Sequence, residues 1–118
     1  MKRLVILMRL VDIRDLFRAI LPGAVFHYRA DSIKRDKYIV WAEDNQSGAS
    51  YADNKTKSIT LQGTIDYFTK TEYDSLVNTI QKTMNDSKMT WRINSIQYED
   101  DTKYFHHEWV WEVGQSIG

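Results

Sequence analysis

From Ser58 to Tyr67 the chain alternates without a break. Ile59, Leu61, Gly63, Ile65 and Tyr67 occupy one parity, and Ser58, Thr60, Gln62, Thr64 and Asp66 the other. Successive side chains of a β-strand point to opposite faces, so a period of two over ten residues describes a strand with one apolar face. On a helix the same residues would be scattered around the circumference. A strand of this kind belongs to a sheet whose apolar face has to be covered by a second layer. Gly63 interrupts the apolar row and marks either a bulge or a close approach by something packed on the strand.

The remaining pattern supplies that layer. Leu10, Ile13, Leu16 or Phe17, and Ile20 recur at helical spacing, with Asp12 as N-cap and Pro22-Gly23 as the stop. Tyr73, Leu76, Val77, Ile80 and Met84 form one face of a second helix, entered through Thr71 as N-cap with Asp74 three residues on. Ala24–Tyr28 and Tyr38–Trp41 are β-prone. Asp44–Ser50 lacks periodicity and is expected to be part of a mobile loop reaching to Lys55 (residues 44–55). Met89, Trp91 and Ile93 alternate, then the phase changes at Ile96 and Tyr98, which predicts a bulge near Asn94-Ser95. After a turn at Glu99–Thr102, a last strand carries Phe105, His107, Trp109, Trp111 and Val113 on one face. The expected fold is α+β: a mainly antiparallel sheet of four to five strands, two helices on one face, order α-β-β-β-α-β-β.

At 118 residues this is one domain. There is no Cys, so no disulfide framework and no thiolate metal site is expected. Sixteen acidic side chains balance sixteen basic ones, whereas a dedicated nucleic-acid binder carries a basic excess. The apolar run Leu4–Met8 is cut off by Arg9 and is too short for a secretory core or a membrane span, so synthesis in the cytoplasm is expected. Met8 offers an alternative start, which would make Met1–Leu7 an extension.

Few residues suggest chemistry. His106 and His107 fall on opposite faces of a strand, and only Glu108 shares a face with His106, whereas a metal needs three or four convergent ligands; no metal or cofactor is expected. Glu99, Asp100 and Asp101 read as a solvated turn. No nucleophile elbow or phosphate-binding glycine loop is present. Arg29, Lys34, Arg35 and Lys37 form a basic patch that reads as a solvated loop or, failing that, a nucleic-acid contact. The strand tryptophans Trp41, Trp109 and Trp111 are candidates for core packing or for an interface, where Trp dominates binding energy. Tyr51, Asp53 and Asn54 are the candidates of the 44–55 segment, with Asp53-Asn54 a good turn former.

Several strings occur in order: Lys37-Tyr38-Ile39-Val40-Trp41, Tyr51-Ala52-Asp53-Asn54-Lys55, Asp66-Tyr67-Phe68-Thr69-Lys70, Trp91-Arg92, and a hairpin from Tyr98 to His107. Together they resemble the tail terminator, or tail completion, proteins of siphoviruses and of prophages in Gram-positive bacteria, over roughly Asp12 to Val113. The resemblance implies a structural protein and not an enzyme. It would form a ring, a hexamer in this family, on the head-proximal end of the tail, assembled in the host cytoplasm and retained in the virion. Its partners would be other copies of itself, the major tail tube protein and the head-to-tail connector. DNA would pass through the ring without specific binding, and no membrane would be involved. The alternatives are a head-closure protein of the phage neck, or a generic module that binds protein or nucleic acid.

Overall fold

A computed structural model describes residues 7–116. The elements are α1 (Leu10–Ile20), β1 (Val25–His27), β2 (Lys37–Ala52), β3 (Lys55–Thr69), α2 (Leu76–Asn85), β4 (Thr90–Glu99) and β5 (Tyr104–Ser116). The five strands form one sheet in the order β1-β2-β3-β5-β4. Every neighbouring pair is antiparallel except β1 and β2, which are parallel. The expected α+β fold is the observed one, including the element order.

Both helices lie on one face. Ile13 and Phe17 of α1 and Ile80 and Met84 of α2 are fully buried against Ile39, Trp41, Ile65, Tyr67, Trp109, Trp111 and Val113 of the central strands. These strand residues share a face because β3 and β5 pair in unbroken register from Ser58–Ser116 to Thr69–Phe105. The centre of the layer is a fit between Gly63 and the residue opposite it, Trp111. The indole lies across the glycine, where a β-carbon would collide with the ring and with the Ala42 carbonyl oxygen. Trp111 Nε1 donates to the Thr64 carbonyl at 2.9 Å, so the ring's polar edge is satisfied. Close packing is thus the role of Gly63; β2 and β5 meet it in direct register.

Helix ends depart from the expected caps. Helix α1 begins two residues before Asp12, which acts from inside the first turn by accepting from the Arg9 backbone N–H at 3.2 Å and from its guanidinium. Pro22-Gly23 does end α1, with Gly23 at φ 78° in the left-handed region that glycine tolerates. Helix α2 starts at Leu76 and not after Thr71, and Tyr73 is 94% exposed at φ 55° instead of facing the core. Asp74 is the reason. Its side chain, 2% exposed, turns back to the sheet, where Oδ2 accepts from Tyr67 Oη (2.6 Å) and Thr69 Oγ1 (2.7 Å) and pairs with Lys37 Nζ (3.1 Å). Its Oδ1 caps Leu76 N–H at 2.9 Å. The chain has to reverse just before Asp74 to make these bonds.

A larger correction concerns residues 44–55. The segment expected as a loop is strand, except for the two-residue turn Asp53-Asn54. Extra residues at Asp44 and Ser47 on β2 and at Lys57 on β3 bulge the ladder, which destroys the period of two without breaking the pairing. The predicted bulge at Asn94 is present between Ile93 and Ser95. Met1–Ile6 of the expected extension lie outside the described residues. Leu7, however, bridges Gly114, and Met8 is buried in the core, so these two belong to the domain.

Two outcomes follow from this packing. Gly63→Ala should lower stability by about 3 kcal/mol, read as a lower urea midpoint with unchanged slope, because Trp111 has nowhere to withdraw. Burial pushes the Asp74 carboxyl up, but bonds from Tyr67, the Leu76 N–H, Thr69 and Lys37 outweigh it and hold it down to about 2. A folded value below the unfolded one stabilises fully above about pH 4 and is lost as pH falls from there to about 2, by about 2 kcal/mol. Asp74→Asn should therefore cost more at pH 5 than at pH 2, by about that amount.

Candidate interaction site

The β2–β3 hairpin outgrows its neighbours. Strand β1 covers β2 only from Ile39 to Trp41, and β5 leaves β3 at Ser58. Sixteen residues of β2 at about 3.3 Å each span about 53 Å, and the molecule measures 53 × 27 × 24 Å. The hairpin is thus the long axis, and its end projects as a two-stranded arm.

Local chemistry explains why so polar a segment pairs. Ser50 Oγ and Ser58 Oγ are hydrogen-bonded across the ladder, and Ser47 Oγ donates to the Thr60 carbonyl at 3.4 Å. Asp53 (φ 53°) and Asn54 (φ 61°) both occupy the left-handed region. That is the requirement of a two-residue type I′ hairpin turn, which Asp and Asn meet with less strain than other non-glycine residues. Tyr51 stands at the tip with 71% of its surface exposed. At the root, Glu43 accepts from Tyr28 Oη at 2.7 Å and lies 2.7 Å from His27 Nε2. Burial pushes the Glu43 carboxyl up, but His27 and Tyr28 outweigh it and hold it below its ordinary range. Beyond Glu43 no strand covers the outer edge of β2 among the described residues.

The expected site residues therefore divide. Tyr51, Asp53 and Asn54 come together at the arm tip, in a turn and not in a long loop. Trp41, Trp109 and Trp111 lie in the core, each no more than 3% exposed, so their role is packing and they offer no surface to a partner. Each indole buries enough area to contribute on the order of 4–5 kcal/mol, a large share of a small domain's net stability. The exposed apolar residues are others. Ile93, Ile96 and Tyr98 of edge strand β4 are about half exposed on the helix-bearing side, beyond the reach of α2. Phase change and bulge were legible in that strand, but its edge position was not.

The helix-free face carries an aromatic layer instead. Tyr38 stacks on Phe68 (4.6 Å between centroids), Phe68 on His106 (4.2 Å), and Tyr104 meets the first two edge-on. His106 and His107 do face opposite sides, and their surroundings act oppositely. The hydrogen bond to Asp66 raises His106, whereas burial lowers His107 beside Tyr67 and Trp109. The basic patch is half neutralised: Arg35 pairs with Asp31 and Lys37 with Asp74. The concavities are open grooves. One, lined by Met8, Asp12, Leu16 and Lys88, runs between α1 and the end of α2; another is lined by Lys70, Tyr98, Lys103 and Phe105. No helix is long and apolar enough to cross a membrane among the described residues.

Comparison with protein-family models and with curated proteins finds no match. The turn geometry makes its own prediction. Asn54→Gly should keep or raise hairpin stability by up to about 0.5–1 kcal/mol, while Asn54→Val should lower it by about 1–2 kcal/mol, since a branched side chain opposes positive φ. Amide hydrogen exchange at Ser50–Thr56 reads the difference directly.

Proposed function

We propose that this chain is a structural assembly protein of the phage tail terminator kind, which works by matching surfaces and not by turnover. The observation that carries the reading is the β2–β3 arm. It carries the β2–β3 turn past the end of β5, places an exposed tyrosine there and leaves the outer edge of β2 open beyond Glu43 among the described residues. Such an edge is a template for pairing with another chain. The half-exposed Ile93, Ile96 and Tyr98 on β4 lie at the opposite edge of the sheet. Two unlike edges suit the head-to-tail contact that closes a ring, because each subunit offers one surface and receives on another. The sequence strings that resemble those of tail terminators are what suggests the ring's partners: the major tail tube protein below and the connector above. A balanced net charge and a half-neutralised basic patch accord with DNA passing without specific binding.

The test is negative-stain electron microscopy of particles from a phage or prophage lacking this gene. Full heads beside unjoined tails of irregular, often excessive, length are expected. Leaking heads beside tails of normal length would reassign the protein to head closure, and normal virions would end the virion reading. In the same system Tyr51→Ala should leave the purified chain folded and reduce joined particles at least tenfold.

A further inference from the structure

On the helix-free face the register brings together groups that are distant in sequence. Asp66 of β3 lies directly opposite Glu108 of β5, and His106 sits two residues along β5 on the same face. His106 Nε2 is 2.6 Å from Asp66 Oδ1, and one donor atom from each of Asp66, His106 and Glu108 lies within 4.8 Å of the others. We propose that these three side chains form a zinc site, a reading independent of the proposed assembly role.

Four features of the geometry favour a metal over a casual polar cluster. The donors are an imidazole and two carboxylates from two strands, the mixed nitrogen–oxygen set that suits zinc. Calcium takes six to eight oxygens and magnesium a near-octahedral oxygen shell, for which this face has neither the number nor the type of ligand. The ring of His106 is fixed by stacking on Phe68, with Nε2 directed at Asp66 and Nδ1 directed at Glu99 Oε2, 3.5 Å away. A carboxylate behind the second ring nitrogen is how metal-binding histidines are oriented. Asn94 Nδ2 donates to Glu108 Oε1 at 2.8 Å and steadies the third ligand in the same way.

The charge balance points the same way. Asp66, Glu99 and Glu108 surround one imidazole, and no Lys or Arg among the described residues forms an ion pair with any of them. His106 and Asp66 are each less than one-fifth exposed, so water screens this excess only in part. Tetrahedral zinc holds its donors about 3.3 Å apart at bonds of about 2.0–2.1 Å. The gaps within 4.8 Å must therefore close by at most about 1.5 Å, and the 2.6 Å between His106 and Asp66 must open slightly, both within the swing of carboxylate side chains. The fourth position would face solvent on the uncovered side of the sheet. A bound ion would fasten β3 to β5, with β4 held through Asn94 and Glu99.

The experiment is calorimetric titration of the full chain, stripped with chelator, with zinc chloride near pH 7. One ion per chain with micromolar or tighter affinity is expected, weakened at least tenfold in His106→Gln and in Asp66→Asn. Imidazole NMR signals of the unaltered chain supply a second reading that does not depend on variants folding. Of the three histidines, zinc should move the His106 resonances and leave those of His27 nearly in place. Absence of binding at millimolar zinc, affinity in both variants unchanged from that of the unaltered chain, tighter binding of calcium than of zinc, or shifts at His27 with none at His106 would each overturn the site.

Discussion

One buried carboxylate sets the arrangement of the layers. Asp74 is bonded at once to the start of β2 through Lys37, to the end of β3 through Tyr67 and Thr69, and to the first turn of α2 through the Leu76 N–H. A charge removed from water is tolerable only when its hydrogen-bonding capacity is filled, and here four donors fill it. The consequence is directional. With its origin pinned above β3, α2 runs back across the sheet, drops Ile80 and Met84 onto the tryptophans and brings Gln81 within 3.1 Å of Trp109 Nε1. The burial of Tyr67, whose hydroxyl is pushed above its ordinary range by burial and then by Asp74, depends on the same contact.

Given this anchor, the two sheet faces solve different problems. The helix side is a dry core in which large indoles interlock with a glycine, and close packing there leaves no room for exchange. The other side has no helices and protects itself with Tyr38, Phe68 and Tyr104, flat rings that shield the backbone. Tyr104 reaches the Arg35 carbonyl, and Lys70 lies 3.9 Å over its ring, so the charged connection before β2 is held down by this layer. Arg35 likewise spans Phe26 at 4.9 Å. Two cations of the segment that reads first as a solvated loop, Arg35 and Lys37, are used to close the fold.

How much was legible depended on whether information was local. Strand β3, the last strand and the bulge at Asn94 could be read because period two is a property of neighbours in sequence. The Pro22-Gly23 stop and the Asp53-Asn54 turn followed from backbone chemistry at single positions. What failed was non-local. Residues 44–52 are held as strand by β3, and two bulges hid the alternation that would have announced it. Thr71 looked like a cap because Asp74's distant bonds to Tyr67 and Lys37 carry no sequence signal. The tryptophans could be assigned to strands, but whether they met a helix or a partner required the second layer. Glu108 beside His106 was visible as a spacing, whereas Asp66, forty residues away, joined them only through register.

The arm has a further meaning for how such a surface changes over generations. Its ladder is joined by main-chain groups, which every residue but proline supplies alike, and its outward side chains at Asp44–Ser47 and Tyr51–Lys55 touch little of the core. Substitutions there leave the interlock of Gly63 and Trp111 undisturbed. The molecule thereby separates a packed region that substitution disturbs from an outer one that, the turn residues Asp53 and Asn54 apart, can change without renegotiating the fold.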